Sequence, residues 1–358
     1  MGEKSRFNSL TGLRGLCIFI IVLYHTLNLE NINFTVGLTF IKQYGGYLGN
    51  YLFFMVSGFL IAYNYQERIR NREIDFKMFF LKRLIKLYPL YLITNLLALL
   101  ITIQKNGISA LNIKQLVLVL LMQTGGGLTD TYPYNFPTWF ICTLLVCYVL
   151  YFFLAYLSKN KTQYYLFIMA GMVWGCILMK AGWNFPYCYR HDGEGFLNFC
   201  IGCALLELYL KMRNKDSAKI LIGSLGILII TIILSYSVGM KNILGDVRLV
   251  FSIIICPIII YWTLESNIWK KFLNVKPIAF LGRISVDVFF WHIVLQDIIS
   301  IIELEQLGIQ NYIIQYLIYL VLLVVVGTIS YFIDEKKNDI YQNCEKHKLN
   351  EQKFNYSK

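Results

Sequence analysis

The sequence predicts an all-α integral membrane protein with about ten transmembrane helices and both termini in the cytoplasm. Three observations support this fold class. The 358 residues are 57% hydrophobic and only 15% charged, with a mean hydropathy of +0.55, whereas a soluble domain of this length needs a more polar surface. Apolar runs long enough to cross a bilayer, about 17 to 25 residues, recur along the chain. Basic residues concentrate in alternate connections between these runs.

Each apolar run predicts one membrane span. The ten predicted spans cover residues 15–30, 46–63, 84–103, 139–157, 164–180, 193–210, 220–238, 249–265, 284–302 and 312–333. The stretch 113–124 is apolar but short, so we expect it at the membrane interface or as a re-entrant piece. The first run follows basic residues as a signal peptide would, but no small-residue cleavage site follows it, which predicts an uncleaved helix. We divide the chain into a transmembrane domain, residues 1–333, and a polar cytoplasmic tail, residues 334–358.

The distribution of basic residues predicts the orientation. With both ends inside, 25 of the 33 Lys and Arg residues fall in cytoplasmic segments and seven in outer ones, and Arg14 lies at the mouth of the first span. Cytoplasmic loops carry such an excess of Lys and Arg, and nine or eleven spans would break the alternation. The placement of the basic residues behind the net charge of +12 therefore indicates a multi-pass inner-membrane protein surrounded by lipid, and not a partner of nucleic acid.

The nine cysteines do not predict a disulfide framework or a metal site. Most of them lie inside apolar runs. Cys200 and Cys203 have the spacing of a redox or metal pair, but they lie within a hydrophobic segment and no second pair accompanies them. Packing is the favoured interpretation, and no metal site is predicted.

The first span carries the most informative polar residues, because ionisable groups at membrane depth are costly. His25 lies ten residues into this span, roughly 15 Å from its start. Arg14 precedes His25 by eleven residues, about three helical turns, and Asn28 follows it by three, so all three share one face. The residues alone leave two interpretations open. The face could bind a ligand with an anionic end and a reactive end, or His25 could be hydrogen-bonded within the helix bundle.

Two further spans carry polar residues of interest. His292 lies in the most polar span, and Gln296, one turn later, could fix its tautomer. A buried polar network is the favoured interpretation of this histidine over catalysis. Ser57 lacks the adjacent base that a serine nucleophile needs. With Gly58 it favours close approach of a helix or a ligand.

Basic and aromatic residues mark the ends of two other spans. Arg83 and Lys86 are one turn apart on one face, just before Pro89, where they could bind a phosphate. Orientation by the positive-inside rule is the alternative. Trp139 begins the fourth span after an aromatic outer loop. It is typical of an interface anchor, although such aromatics also suit the faces of sugars.

Taken in order, these residues resemble membrane acyltransferase family 3, the bacterial enzymes that O-acylate cell-surface glycans and some small molecules. The resemblance covers about residues 6–333. It is carried by Arg6 through His25, Phe53 through Phe59 and Phe80 through Pro89, with weaker similarity at Trp139-Phe140-Ile141, Phe199 through Gly202 and Leu281 through His292.

The resemblance implies that His25 is the essential catalytic residue and Arg14 its paired arginine. It assigns Arg83 and Lys86 to the second basic motif, in which Lys86 replaces an arginine and loses the forked geometry. The donor would be acetyl-CoA or another acyl-CoA, bound as a substrate and not as a tightly held cofactor. The acceptor would be a glycan or a lipid-linked sugar. His25 would act as a general base or be transiently acylated.

The four remaining site residues are expected to support the substrates or the structure around them. These are Ser57, Asn28, Trp139 and His292. A transporter or flippase, or a scaffold of a polysaccharide export complex, remains the alternative function. The transporter does not explain the spacing of Arg14 and His25 or the basic pair, whereas the scaffold would keep the family motifs without chemistry, and only an enzyme would release CoA from acyl-CoA. A homo-oligomer is compatible with the sequence.

Overall fold

The computed structural model describes residues 7–29, 36–181, 186–212, 217–302 and 311–356. Within these ranges every regular element is a helix and no strand forms. The main helices are α1 (Asn8–Leu29), α2 (Val36–Arg70), α3 (Phe76–Asn106), α4 (Ile113–Leu120), α5 (Trp139–Leu157), α6 (Lys161–Ala181), α7 (Arg190–Met212), α8 (Ser217–Leu234), α9 (Val247–Glu265), α10 (Asn267–Leu273), α11 (Lys276–Arg283), α12 (Ser285–Ile302) and α13 (Tyr312–Tyr356).

Nine helices of the described chain are long and apolar enough to cross a membrane, namely α1, α2, α3, α5, α6, α7, α9, α12 and α13. The seventh predicted span, 220–238, corresponds to α8, whose apolar part Lys219–Leu234 is shorter. This architecture confirms the prediction of an all-α, multi-pass membrane protein. The orientation and the division at residue 333 stay predictions, and the backbone of α13 remains helical beyond that residue, to Tyr356.

Several helices extend past the predicted spans because local interactions continue them beyond the apolar run. The polar end of α2 carries an ion pair of 3.1 Å between Arg70 and Glu67, one turn apart. At the start of α3 the Asp75 carboxylate accepts a hydrogen bond from the Met78 amide at 2.6 Å, which satisfies a free donor of the first turn. Gly107, at a φ of +79°, ends α3.

Glycines allow the central helices α2 and α7 to touch backbone to backbone. A Cβ atom on Gly58 would overlap the Phe199 carbonyl, and one on Gly202 would overlap the Met55 carbonyl. The two glycines lie on facing helices, so each admits the backbone of the other helix. This contact agrees with the expectation that the Ser-Gly pair of α2 permits close approach.

A buried polar network joins α3 and α12 to the start of α5, next to Trp139. The backbone N–H of Asn135 donates to Oδ1 of Asn95 in α3 at 3.0 Å. The side-chain Nδ2 of Asn135 donates to the Phe290 carbonyl of α12 at 2.8 Å. The Asn95 side chain also donates to Thr138 at 3.1 Å. Buried polar groups are held strongly by such bonds because breaking one leaves an unpaired group out of water.

The loop before α5 folds back onto α7. Its apolar stretch 113–124, expected at the interface or as a re-entrant piece, contains only the eight-residue helix α4. Beyond it, Gly125, Gly126 and Gly127 all have positive φ, a conformation that glycine adopts without strain. The Gly127 amide donates to both carboxylate oxygens of the buried Asp192 at 3.1 Å. The start of α7 is thereby tied to the loop before α5.

Candidate active site

A first cavity of about 290 Å³ opens among helices α1, α2, α3, α5 and α12, and we call it the basic cavity. It is lined by Arg14, Phe53, Val56, Ser57, Leu60, Ile61, Tyr65, Lys82, Arg83, Lys86, Leu87, Phe140, Ile141, Leu144, Tyr148, Ser285, Val286 and Phe289. Four of the sequence-predicted site residues therefore meet here, namely Arg14, Ser57, Arg83 and Lys86. Cations and hydroxyls share the cavity with an apolar wall.

Aromatic rings hold Arg83 in place. Its guanidinium carbon lies 3.8 Å from the centre of the Phe79 ring and 4.2 Å from that of Tyr65. One terminal nitrogen donates to the Phe79 carbonyl, but Nε is buried and has no hydrogen-bond partner among the described residues. A buried donor without a partner is costly, so Arg83 retains hydrogen-bonding capacity that the described residues do not use.

The other polar residues of the basic cavity differ in exposure. Lys86 is exposed to solvent and Arg14 is half-buried. Ser57 lies within hydrogen-bonding reach of the Tyr148 hydroxyl. No base is placed beside Ser57 by these contacts, so the geometry gives it no activated nucleophile character.

Arg14 and Lys86 also border a mixed-charge cavity of about 240 Å³. It is lined by Arg14, Lys86, Leu90, Arg283, Val286, Asp287, Phe290, Tyr331, Asp334 and Glu335. Asp287 is 6% exposed, and its Oδ1 makes no hydrogen bond within the described residues. The two cations therefore share this second cavity with acidic groups, which lowers the cost of holding Arg14 partly buried.

A third cavity, of about 170 Å³, contains His25, and we call it the histidine cavity. It is lined by Tyr24, His25, Gln43, Gly46, Tyr47, Asn50, Tyr51, Phe136, Pro137, Trp139, Arg190, His191, Glu194 and Phe289. His25 and Trp139, predicted as site residues, meet here across α1 and α5. The side chain of Asn28 lies outside the described residues.

His292 lies directly against His25, although the two residues are far apart in the sequence. Their ring centres are 5.1 Å apart. His292 Nδ1 is 2.6 Å from the Phe289 carbonyl, and because a carbonyl only accepts, Nδ1 carries the proton of this hydrogen bond. Nε2 is then the acceptor, and it is buried without a partner within the described chain. The expected contact with Gln296 is wrong, because the Gln296 amide instead lies 3.4 Å from the Thr26 hydroxyl.

The basic and histidine cavities meet at one side chain. Of the described residues, Phe289 alone lines both. Its ring centre lies 5.5 Å from that of Phe140, which is 6.1 Å from that of Phe53. We call these three rings the aromatic layer. The layer separates the cations of one cavity from the imidazole of the other.

Sequence reasoning missed a charged cluster at the first turn of α7. Glu194 is only 3% exposed, and its carboxylate lies 2.9 Å from Arg190, 3.6 Å from Arg248 and 3.7 Å from His191. The His191 ring also stacks on Trp139 with ring centres 4.0 Å apart. The four-residue spacing of Arg190 and Glu194 was visible in the sequence, and a carboxylate inside a predicted span was a signal in itself. The contacts with Trp139 and Arg248 had no sequence signal.

Two groups beside this cluster, outside the spans, have shifted pKa values. Burial raises the pKa of Tyr132, whose hydroxyl lies 2.9 Å from His191 Nε2. Burial also acts to raise the pKa of Asp246, but hydrogen bonds and charge from Arg248 outweigh it and leave that pKa below its usual value. Asp246 is thus ionised near neutral pH and shares Arg248 with Glu194.

Comparison with known families agrees with the resemblance. The model of an acyltransferase domain, that of acyltransferase family 3, matches residues 7–332. The chain belongs to this family. It is therefore a membrane acyltransferase, and its many apolar helices make it a multi-pass membrane protein. No curated protein and no solved structure gives a significant match.

Proposed function

We propose that this acyltransferase moves an acyl group, most simply acetyl, from cytoplasmic acyl-CoA to a hydroxyl of a cell-surface or lipid-linked glycan in the bacterial cytoplasmic membrane. One observation carries the proposal. A cavity with four cations and the cavity that contains His25 meet at Phe289. An anionic donor and a hydroxyl acceptor could therefore approach one point from opposite sides.

The donor would enter the basic cavity. Its phosphates would accept charge-assisted hydrogen bonds from Arg14, Arg83 and Lys86, which are stronger than neutral ones. The apolar wall between these cations and the aromatic layer suits the uncharged pantetheine arm. The thioester would then lie at the inner end of the cavity, next to Phe289.

The acceptor would enter the histidine cavity, where Trp139 and its stacked partner His191 offer ring faces and Asn50 and Gln43 offer amides. Sugars present both apolar faces and hydroxyls, so such a mixture suits them. Holding two substrates at one point supplies much of the rate acceleration of a transfer reaction. Exclusion of water from the meeting point suppresses hydrolysis.

In the proposed reaction His25 removes the proton of the acceptor hydroxyl as that oxygen attacks the thioester carbonyl. The carbon–sulfur bond breaks, an ester bond forms, and the proton leaves on the CoA thiol. In the second version of this mechanism His25 is itself acylated and then deacylated by the hydroxyl. Isolation of an acylated His25 from protein given acyl-CoA without acceptor would favour that version.

We further propose that His292 orients the catalytic imidazole. Its Nδ1 is engaged by the Phe289 carbonyl, so Nε2 can accept an N–H from His25. The ring centres are 5.1 Å apart and His292 Nε2 makes no hydrogen bond with the described residues, so this bond would form by a reorientation of the His25 ring. The lone pair on the other nitrogen of His25 would then point toward the acceptor hydroxyl. In other catalytic histidines, too, a hydrogen bond to one ring nitrogen fixes the tautomer.

The test is transfer of label from radioactive acetyl-CoA in membranes that contain the native glycan and either the wild type or His25→Ala. We expect labelled glycan and free CoA thiol with the wild type alone. His191→Ala removes a histidine of the same cavity that does not touch His292, and it should retain part of the transfer. Full glycan acylation by His25→Ala would end the proposal, and absence of label with the wild type would direct attention to another donor and then to transport.

A further inference from the structure

The aromatic layer closes the inner end of the basic cavity. Phe289 faces both cavities, and Phe140 and Phe53 continue the layer across α5 and α2 at ring-centre distances of 5.5 and 6.1 Å. Phe289 is only 4% exposed. Among the described residues Phe289 is the side chain that lines both cavities, so an acyl group that moves from the basic cavity toward His25 would pass beside it.

The depth of the basic cavity places the acyl end of a donor against that layer. Along α2 the lining runs from Tyr65 at the cationic end to Phe53 at the aromatic end. These residues are twelve positions apart, about 18 Å along a helix. An extended pantetheine arm, held by the donor phosphates at the cationic end, would fill this depth. Little space then remains for the acyl group between the thioester and the aromatic layer.

The side chains at and next to the aromatic layer are uncharged. In the described part of the chain they are Phe53, Val56, Phe140 and Phe289, while three of the four cations of the basic cavity, Lys82, Arg83 and Lys86, belong to α3 and the fourth, Arg14, belongs to α1. A carboxylate on the far end of an acyl group held against these rings would lose its water among apolar side chains. Burial of an unpaired charge is far more costly than burial of a methyl group.

We propose that the aromatic layer, with Phe289 at its centre, is the selectivity filter of the donor and admits short, uncharged acyl groups. Acetyl is accepted, longer chains are rejected by lack of room, and succinyl is rejected by its carboxylate. This inference rests on the proposed acyl-CoA function and adds no chemical step to it. It names the donor class, which the cations alone leave open.

The experiment compares acetyl-CoA, butyryl-CoA and succinyl-CoA as donors, with release of CoA thiol as the readout and native acceptor present. One methylene in an apolar pocket changes kcat/KM by roughly 10- to 200-fold, so wild type should prefer acetyl to butyryl by at least about 100-fold. Phe289→Leu and Phe289→Ala should reduce this preference by about tenfold or more. Succinyl-CoA should remain poor with both variants, because neither supplies a cation.

Phe290→Leu is the matched control. Phe290 is the next residue of α12 and is fully buried, but it lines the mixed-charge cavity and not the basic cavity. Phe290→Leu should reduce packing and stability about as much as Phe289→Leu does, without changing the ratio of acetyl-CoA to butyryl-CoA use. Phe289→Leu keeps an apolar side chain, so it remains informative where Phe289→Ala does not fold.

The outcomes separate the two proposals. Equal use of the three donors by wild type would overturn the selectivity filter and leave the acyltransferase function intact. An unchanged acetyl-to-butyryl ratio in a folded Phe289→Leu variant would also overturn it, since this ring would then not set the room for the acyl group. Absence of thiol release from every donor would instead count against the proposed donor itself.

Discussion

The cations of the basic cavity allow a graded prediction of donor affinity. We expect Arg83→Ala to raise the KM for acetyl-CoA far more than Lys86→Ala does. Arg83 is held between the Phe79 and Tyr65 rings and keeps a buried Nε–H free of any partner in the described chain. Lys86 is exposed to water, so its charge is screened and its side chain must be ordered when the donor binds.

The magnitudes follow from these surroundings. A hydrogen bond to a charged group contributes about 1.5–3 kcal/mol, and about 1.4 kcal/mol is a factor of ten. Loss of the Arg83 contact should therefore raise KM roughly 10- to 150-fold. An exposed ion pair contributes at most about 1 kcal/mol, so Lys86→Ala should raise KM by about fivefold or less. Arg83→Lys should fall between the two, because it keeps the charge and loses the planar fork.

The assay is CoA thiol release from a titration of acetyl-CoA in membranes with native acceptor, from which kcat and KM are obtained separately. Arg72→Ala is the matched control for Arg83. Arg72 also stacks on an aromatic ring, that of Tyr156 at 3.3 Å, but does not line the basic cavity. Lys77→Ala is the matched control for Lys86→Ala, because Lys77 is exposed and lies on the same helix.

The reasoning would be refuted by an Arg83→Ala variant that folds, keeps the wild-type KM and loses only kcat. Such a result would mean that Arg83 does not contact the donor in the ground state. Equal effects of the Arg83 and Arg72 substitutions would refute it as well, because general loss of basic charge at this end of the protein would then explain both.

Two further substitutions test the histidine pair and the helix packing. His292→Asn can still donate to the Phe289 carbonyl but lacks an atom at the position of Nε2, so we expect kcat to fall about 100-fold or more, the lower end of the effect of a misplaced general base. His292→Gln can place an amide oxygen near that position and should recover at least part of this loss; equal activity of the two variants would leave His292 with a packing role only. Gly58→Ala should lower the thermal unfolding temperature in detergent, because its Cβ would overlap the Phe199 carbonyl. Gly223→Ala, which meets open space in α8, should raise the temperature slightly, and equal shifts would contradict the packing argument.

The sequence was sufficient for the parts of the fold that depend on hydropathy and charge. The length of apolar runs determines where a helix can cross the membrane, so nine of the ten predicted spans correspond to described helices that are long and apolar enough to cross it. The helix ends were not predicted, because they depend on local contacts such as the Asp75 cap and the Arg70–Glu67 pair. The extension of α2 to Arg70 and of α13 to Tyr356 continues past the apolar residues that a span prediction detects.

The site was predicted in parts but not as a whole. Helical spacing placed Arg14 and His25 along one face of α1, and each lines a cavity. The spacing could not indicate that α12 brings His292 against His25, because only tertiary packing joins residues so far apart in the chain. Phe289 had no signal at all, since one phenylalanine among many has no distinguishing chemistry until its two neighbouring cavities are known.

The aromatic layer also matters for the electric field across the membrane. If water fills the basic cavity from one side and the histidine cavity from the other, most of the membrane potential falls across the thickness of the Phe289 ring. Each 100 mV then acts on an elementary charge there with about 2.3 kcal/mol, which would drive a proton through any open path. An uncharged acyl group feels no such force. A single apolar ring between two water-filled cavities would thus allow an acyl group to pass between them without a leak of protons that dissipates the membrane potential.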